Sequence, residues 1–500
     1  MKYKKIVIVM LMMSVLSLIA MQLKISDDIF GSIENLTYKY RESKAVSLIA
    51  GMQTENDDVN NKNDIAGKAE VITEEVKIKS NDITDNKEDT DVQRNINQIK
   101  EYNSDDKTEI GIVITNSSNN IYHDTVSMES EGTINVYYGK NLNSTKSVGN
   151  EIAIDSLKYF KKNKYVKITS DKKINIKNLP NNSYEGDFFV YSKDEGFVIV
   201  NKVSVEKYLF SVVASEMPLS FEKEALKSQA VCARTYTYAH LDNDKYKEFD
   251  AIMDDTTSYQ AYGKKTDKKI VEAVKSTRGE VLTRNNELIN AYYFSTSCGY
   301  TTDDRIWGNA KNDYLRSKYV SAKESVIDVS TKDNFNSFIK NNYDAYESKC
   351  AFYRWKVTIN AETIKSKLYE YKGENVGNIQ NIEIAERGAG GIVSKIRIIG
   401  EKGSAVITNQ NEIRNVFSIN GNELKLNDGS VRMDFGSLPS AFFTVDKISN
   451  KKYMLTGGGF GHGSGMSQYG ANEMAKKGKG YEEILNFFYT DVTCGRIEIH

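Results

Sequence analysis

The chain has 500 residues and carries 67 basic against 68 acidic side chains, a formal net charge of −1 that gives no electrostatic case for nucleic acid binding. That length exceeds what one domain usually needs, so at least two folded units, or one unit with long tails, are expected. The four cysteines, Cys232, Cys298, Cys350 and Cys494, share no close spacing, which excludes a zinc-knuckle pattern.

Residues Ile6 to Leu23 form a predominantly apolar run of 18 positions preceded by Lys2, Lys4 and Lys5. The run is at the threshold for a membrane span, and no small-x-small cleavage site stands out near Ala20. The lysines favour a cytoplasmic N-terminus. The reading is a cytoplasmic tail over 1–5, an uncleaved signal anchor over 6–23, and everything after Lys24 outside the cytoplasm. Residues 24–107 are rich in Asn, Asp, Lys, Glu and Thr and poor in large apolar residues. Such a segment cannot bury enough surface to offset its ordering entropy and reads as a disordered linker. As a coil it would let the following region range on the order of 50 Å from the membrane.

Order is expected from 108 to 500. Ile110–Ile114, Thr133–Tyr137, Phe188–Tyr191 and Gly196–Val200 read as short strands between Asn/Asp/Gly turns. They lead to an amphipathic helix, Phe221–Leu241, then a helix Lys269–Thr277 and strands Gly279–Thr283 and Leu288–Ser295. A second mixed lobe over about 330–446 contains strands Trp355–Ile359 and Val393–Ile399 and a helix near Glu362–Tyr371. Helices Met466–Lys477 and Tyr481–Tyr489 follow a glycine-rich loop. Segregated strands and helices without βαβ alternation make the fold class α+β.

Glu216 stands in Ala214-Ser215-Glu216-Met217-Pro218, next to one of only three prolines. The proline biases Met217 toward extended geometry, so Glu216 is expected on a loop ahead of the Phe221–Leu241 helix. A carboxylate there serves as a general acid and base if burial raises its pKa; the competing reading is an acid favoured by the helix dipole. Lys227 and Arg234 lie seven apart and share a helix face, either solvated or placed to orient a substrate carboxylate and hold Glu216. In the loop Asp254–Tyr262, Gln260 and Tyr262 offer an amide and an aromatic face suited to an amino sugar, or simply a packed tyrosine. Ser295 belongs to a hydroxyl-rich turn, and turn serines are common. Gly457 to Gly470 holds seven glycines around His462, with no G-x-G-x-x-G register. His462 is a substrate-side or a structural contact. A Cys298/His462 peptidase would need a thiolate beside the imidazole, and Cys298 lacks a helix N-terminal setting.

Four segments in order resemble the SpoIID/LytB family of stage II sporulation protein D and amidase-enhancer proteins. They are Val205–Leu209 running into Val212–Pro218, then Glu224–Tyr236, then Ala291–Thr302 (AYYFSTSCGYTT), then Gly457–Ala471 (GGGFGHGSGMSQYGA). The matching is densest over 202–319 and 455–489 and spans a little over half of the chain.

The resemblance implies a peptidoglycan lytic transglycosylase that cleaves MurNAc–GlcNAc strands to anhydromuramyl ends during sporulation or wall remodelling. Glu216 would be its acid and base, and Lys227 and Arg234 match the family's helix motif. Gln260, Tyr262, Ser295 and His462 would lie along the cleft. Some sporulation members bind zinc through a Cys/His cluster where this chain has Asp254, Ser258 and Tyr259, so no metal and no other cofactor is expected. The family's usual His and Gly near Ser295 are replaced by Phe294 and Cys298. The alternative it implies is a non-catalytic amidase enhancer that binds wall glycan and activates a cell-wall amidase. The implied partners are glycan strands, an amidase and other membrane-bound sporulation proteins.

Overall fold

The computed structural model describes residues 108–496 except 156, 161–162, 180, 309–311 and 324–326. The expected anchor over 6–23 and linker over 24–107 lie outside the described residues. Among the described residues no helix is long and apolar enough to cross a membrane.

The fold is α+β, with eight α-helices among the described residues. Its largest sheet has eight strands. Gly196–Ser204 is central, pairing antiparallel with Glu109–Ile114 on one side and with Asp187–Lys193 on the other. Glu109–Ile114 is flanked in turn by a short parallel strand, Met253–Asp254, which carries the polar loop onward to the site. Alternate residues of these strands enter one apolar cluster: Ile110, Ile112 and Ile114 meet Phe188, Val190 and Ile199. This is period-two burial on one face of an antiparallel sheet.

Helix α1, Val205–Glu216, follows directly from the central strand. The expectation of a loop at Glu216 is corrected: Glu216 is the last residue of α1. Val205, Tyr208, Leu209, Val212 and Val213 are buried at helical spacing, and that apolar face drives the helix despite its β-branched content. Pro218 acts as expected on its neighbour. Met217 is extended at φ −123° and ψ 140°, and its amide closes the last turn on the Val213 carbonyl.

Helix α2, Lys223–Ala239, is packed on nearly every side, by α1, α3 (Lys268–Ser276) and two C-terminal helices. Its buried residues run almost without a break from Ala225 to Tyr238, so it is a core helix and not a half-solvated one. The single expected strand Leu288–Ser295 is instead two short strands. Glu287–Leu288 pairs with Glu280–Arg284, whereas Tyr293–Phe294 leaves that sheet to pair in parallel with Met466–Ser467. That change of partner brings two distant motifs side by side.

A second apolar core involves residues between Trp355 and Leu455. It joins a five-stranded sheet around Trp355–Asn360 to a three-stranded sheet centred on Val393–Gly400. Helix α4 (Lys332–Lys340) buries Phe335 and Phe338 in a smaller cluster with Cys298, Tyr300 and Phe442, whereas helices α5 (Ala361–Lys372) and α6 (Gln410–Val416) pack into this second core. Helices α7 (Gln468–Lys476) and α8 (Tyr481–Phe488) return to the first core.

All four cysteines are free thiols, so Cys298 pairs with neither Cys350 nor Cys494. Cys232 is a small core residue, its sulfur against the Met466 sulfur and the Tyr489 hydroxyl. Between Tyr293–Phe294 and α7 the glycine loop runs so close to its neighbours that side chains are excluded. Gly465 has φ +78°, and a Cβ there would collide with the Tyr292 carbonyl oxygen.

Candidate active site

Glu216 projects from the end of α1 where three other segments meet. Its Oε1 accepts the Ala261 amide at 2.8 Å and its Oε2 accepts the Gln468 side-chain amide at 3.2 Å. The Tyr293 hydroxyl also acts on it, while donating to Gln260 Oε1 at 3.0 Å. Burial pushes the Glu216 carboxyl up from its ordinary range, against the pull of these donors and of Lys264. The residue nevertheless keeps partial exposure. A carboxyl poised between desolvation and a few hydrogen bonds can hold its proton and also release it.

The loop beneath Glu216 is pinned along its length. The Gly263 amide donates to Ser211 Oγ at 3.0 Å, and the Lys264 amide to Ser215 Oγ at 3.3 Å. Gln260 is fully buried and donates to Thr237 Oγ1 at 3.0 Å, so it positions Tyr293 and faces no cleft. Tyr262 is also buried, its hydroxyl on Asn201 Oδ1 at 2.7 Å and its ring against Tyr208. These two residues hold the loop up to the acid from below.

His462 is a brace. Its Nε2–H donates to the Tyr293 carbonyl at 2.9 Å, and Nδ1 accepts the Ser464 amide at 3.2 Å. Burial pulls its pKa down to about 4, so the ring is neutral and both nitrogens are occupied. Ser295 is partly exposed; its carbonyl accepts the Tyr469 amide at 2.9 Å and ties the turn to α7. Cys298 is buried, with its thiol pushed up to about 11 by desolvation, which removes it as a nucleophile.

The comparisons with known proteins coincide with this geometry. A family profile described as Stage II sporulation protein matches residues 193–284, and a Domain of unknown function matches 301–465. The chain is 32% identical over 307 residues to "Stage II sporulation protein D" of Bacillus subtilis (strain 168), covering 58% of this chain and 74% of that protein. The chain belongs to the stage II sporulation protein D family. The relative of the same name from Bacillus amyloliquefaciens is 30% identical over 308 residues, covering 59% of this chain and 74% of its own length. "Amidase enhancer" of Bacillus subtilis (strain 168) is 27% identical over 291 residues, covering 57% of this chain and 40% of its own.

The profile of the stage II sporulation protein D family contains Glu216, Lys227, Arg234, Gln260 and Tyr262, whereas Ser295 and His462 fall beyond it. The two cations are not gathered at Glu216. Arg234 is fully buried and grips Glu206 through both carboxylate oxygens, at 2.7 and 3.0 Å, and it also donates to the Glu280 carbonyl at 3.0 Å. The expectation that Arg234 orients substrate is therefore corrected, because α2 is surrounded and its whole turn there is core. Lys227 pairs with Glu224 at 2.7 Å and lies over the Tyr481 ring, fastening α2 to α8. Among the described residues no group of three or more His, Cys, Asp or Glu is arranged to hold a metal ion.

The resemblance places Gln468 in the signature near the cleft, whereas Tyr293 lies in a quoted motif without being named as a site residue. Sequence reasoning missed Glu347 altogether. That carboxylate is fully buried and accepts the Ser297 amide at 2.8 Å and Ser467 Oγ at 2.5 Å, with the Ser297 hydroxyl on its other oxygen. It thus fastens the 295–299 turn to the start of α7, one residue from Gln468. Burial pushes it up to about 7. No local pattern announces a lone Glu whose partners are 50 and 120 residues away. A cavity of about 650 Å³ is lined by Tyr346, Met474 and Phe487, and its lining includes none of Ala261, Tyr293 or Gln468 around Glu216.

Proposed function

We propose that this protein acts on the glycan strands of the cell wall as a lytic transglycosylase, with Glu216 as its one acid and base. The observation that carries the reading is the state of Glu216: a desolvated, partly accessible carboxyl at the convergence of four segments, with donors that keep its ionised form within reach. Protonated Glu216 gives its proton to the glycosidic oxygen, and the C–O bond breaks as oxocarbenium character grows on the muramyl carbon. The carboxylate then takes the proton of the muramyl 6-hydroxyl, whose oxygen closes onto that carbon as a 1,6-anhydro ring. One carboxyl is regenerated, and no water is consumed. Glu206, the nearest acid in α1, is locked on Arg234 and supplies no second catalytic group. In this reading an anchor over 6–23 holds the protein at the membrane with its site outside the cytoplasm.

A second reading, an amidase enhancer that holds glycan for a cell-wall amidase without cutting it, draws support from the relative named "Amidase enhancer". Digestion of peptide-free glycan strands by the full-length protein, followed by mass spectrometry, separates the two. New anhydromuramyl ends that disappear in Glu216→Gln support the transglycosylase. Binding without new ends supports the enhancer, and ends that persist in Glu216→Gln refute the assignment of the acid.

A further inference from the structure

Beside the site lies a cavity of about 220 Å³. Its walls come from the turn after Glu109–Ile114 (Thr115, Asn116), from Asn181 and Tyr184, and from the loop that carries Asp255 and Lys264. This is the loop whose Ala261 amide holds Glu216 and whose Lys264 amide holds Ser215. Lys264 is exposed at the rim, and its charge acts on Glu216, so cavity and acid share one edge.

Two groups in the wall are equipped for a ligand. Asp255 receives both of its Thr115 bonds on Oδ1, at 2.9 and 2.7 Å, which leaves Oδ2 for an incoming donor. Burial raises this carboxyl to about 6, a sign that its present donors do not replace the water it has lost. Tyr184 is buried and lines the cavity, close to the charge of Asp255. Gly263 brings backbone against the Tyr184 hydroxyl; a Cβ there would stand 2.8 Å from it. The Tyr184 and Tyr262 rings form apolar wall beside these polar atoms.

A carboxylate oxygen, a phenol and side-chain amides against aromatic faces match the hydroxyls and the apolar ring face of a sugar. The volume suits one ring and not a whole strand. We propose that this cavity is a saccharide subsite that takes one N-acetylhexosamine ring of the strand beside the bond at Glu216, with ring hydroxyls on Asp255 Oδ2 and the Tyr184 hydroxyl. The inference rests on the glycan reading above and adds where the strand runs: over the 255–264 loop, inside the segment 193–284 matched by the family profile, and against Thr115, Asn116 and Tyr184, which precede that segment.

The test is isothermal titration of the full-length protein with N-acetylglucosamine tetramer and with peptide-free glycan strands. Tyr184→Phe removes one oxygen and keeps the ring that packs against Phe188 and Tyr262, so the fold is retained; Asp255→Asn removes the charge and keeps an acceptor for Thr115. About a tenfold loss of affinity in Asp255→Asn, and about three- to tenfold in Tyr184→Phe, is expected with unchanged melting temperature. Wild-type affinity in both variants overturns the subsite while leaving the glycan reading intact. Absence of binding by the wild-type protein overturns the glycan reading itself. If Asp255→Asn does not fold, Tyr184→Phe decides alone.

Discussion

Replacing Arg234 by methionine tests the assignment on which structure and motif reading diverge most. The change keeps the apolar stem and volume of the side chain while deleting every donor of the guanidinium. Five of its hydrogen bonds end on Glu206 Oε1 and Oε2 and on the carbonyls of Glu280, Val274 and Ala230, which ties α2 to α1, α3 and the Glu280–Arg284 strand. Removing one partner of a buried ion pair costs about 3–5 kcal/mol, most of it from the charge left behind. The Glu206 side chain keeps 15% exposure, and the Gly279 amide remains on it at 3.2 Å, so the low end, about 3 kcal/mol, is expected. That is a large share of the 5–15 kcal/mol typical of a folded domain. Urea unfolding of the full-length protein followed by far-UV circular dichroism should show the midpoint falling. The double variant with Glu206→Gln should recover about 1–2 kcal/mol, because the two residues act as one unit. Glycan cleavage per folded molecule should be unchanged well below the midpoint. An unchanged midpoint together with lost glycan binding would refute the reasoning and return Arg234 to the substrate side.

The remaining predictions concern groups around the acid. Glu347 is pushed from its ordinary 4.5 to about 7, so between those values the folded state binds more protons than the unfolded one. Its contribution to stability is complete below about pH 4.5, is lost as pH rises through 7, and amounts to about 3 kcal/mol across that window. Glu347→Gln should flatten the wild-type decline in melting temperature between pH 5 and pH 8, on the order of several degrees; an equal decline in both proteins would exclude Glu347 as its source. Gln468→Ala removes a donor that favours ionised Glu216, so the alkaline limb of the cleavage profile should move to higher pH. An unmoved limb, or a shift in the opposite direction, measured as initial rate against pH on peptide-free strands, would mean that the alkaline limb does not report Glu216. Lys227→Ala should cost at most about 1 kcal/mol and leave cleavage intact, since its pair with Glu224 is partly solvated and its ring contact lies on α8.

Local chemistry in the sequence was enough for several elements. Short apolar, β-branched runs at Ile110–Ile114 and Trp355–Ile359 predict strands, and both segments are strands in the structure. Helical spacing in Phe221–Leu241 predicts a helix that forms over Lys223–Ala239. Pro218 dictates the extended Met217 whatever surrounds it, because the clash that imposes it lies between adjacent residues. The helix Val205–Glu216 escaped notice because its β-branched residues continue a strand without an intervening turn; only burial against α2 decides in favour of the helix.

The same division governs the site. By itself the sequence determined the α+β class, the family resemblance and Glu216 as the acid to examine, since each rests on residue types at short spacing. Tertiary structure alone decided what surrounds Glu216. It sent Arg234 to Glu206, turned Gln260 and His462 inward as supports for Tyr293, and brought Gln468 252 residues along the chain to the carboxylate. The physical reason is that a charge or amide takes its role from the nearest partner in a desolvated interior. That partner is chosen by packing of distant segments, which no local pattern encodes.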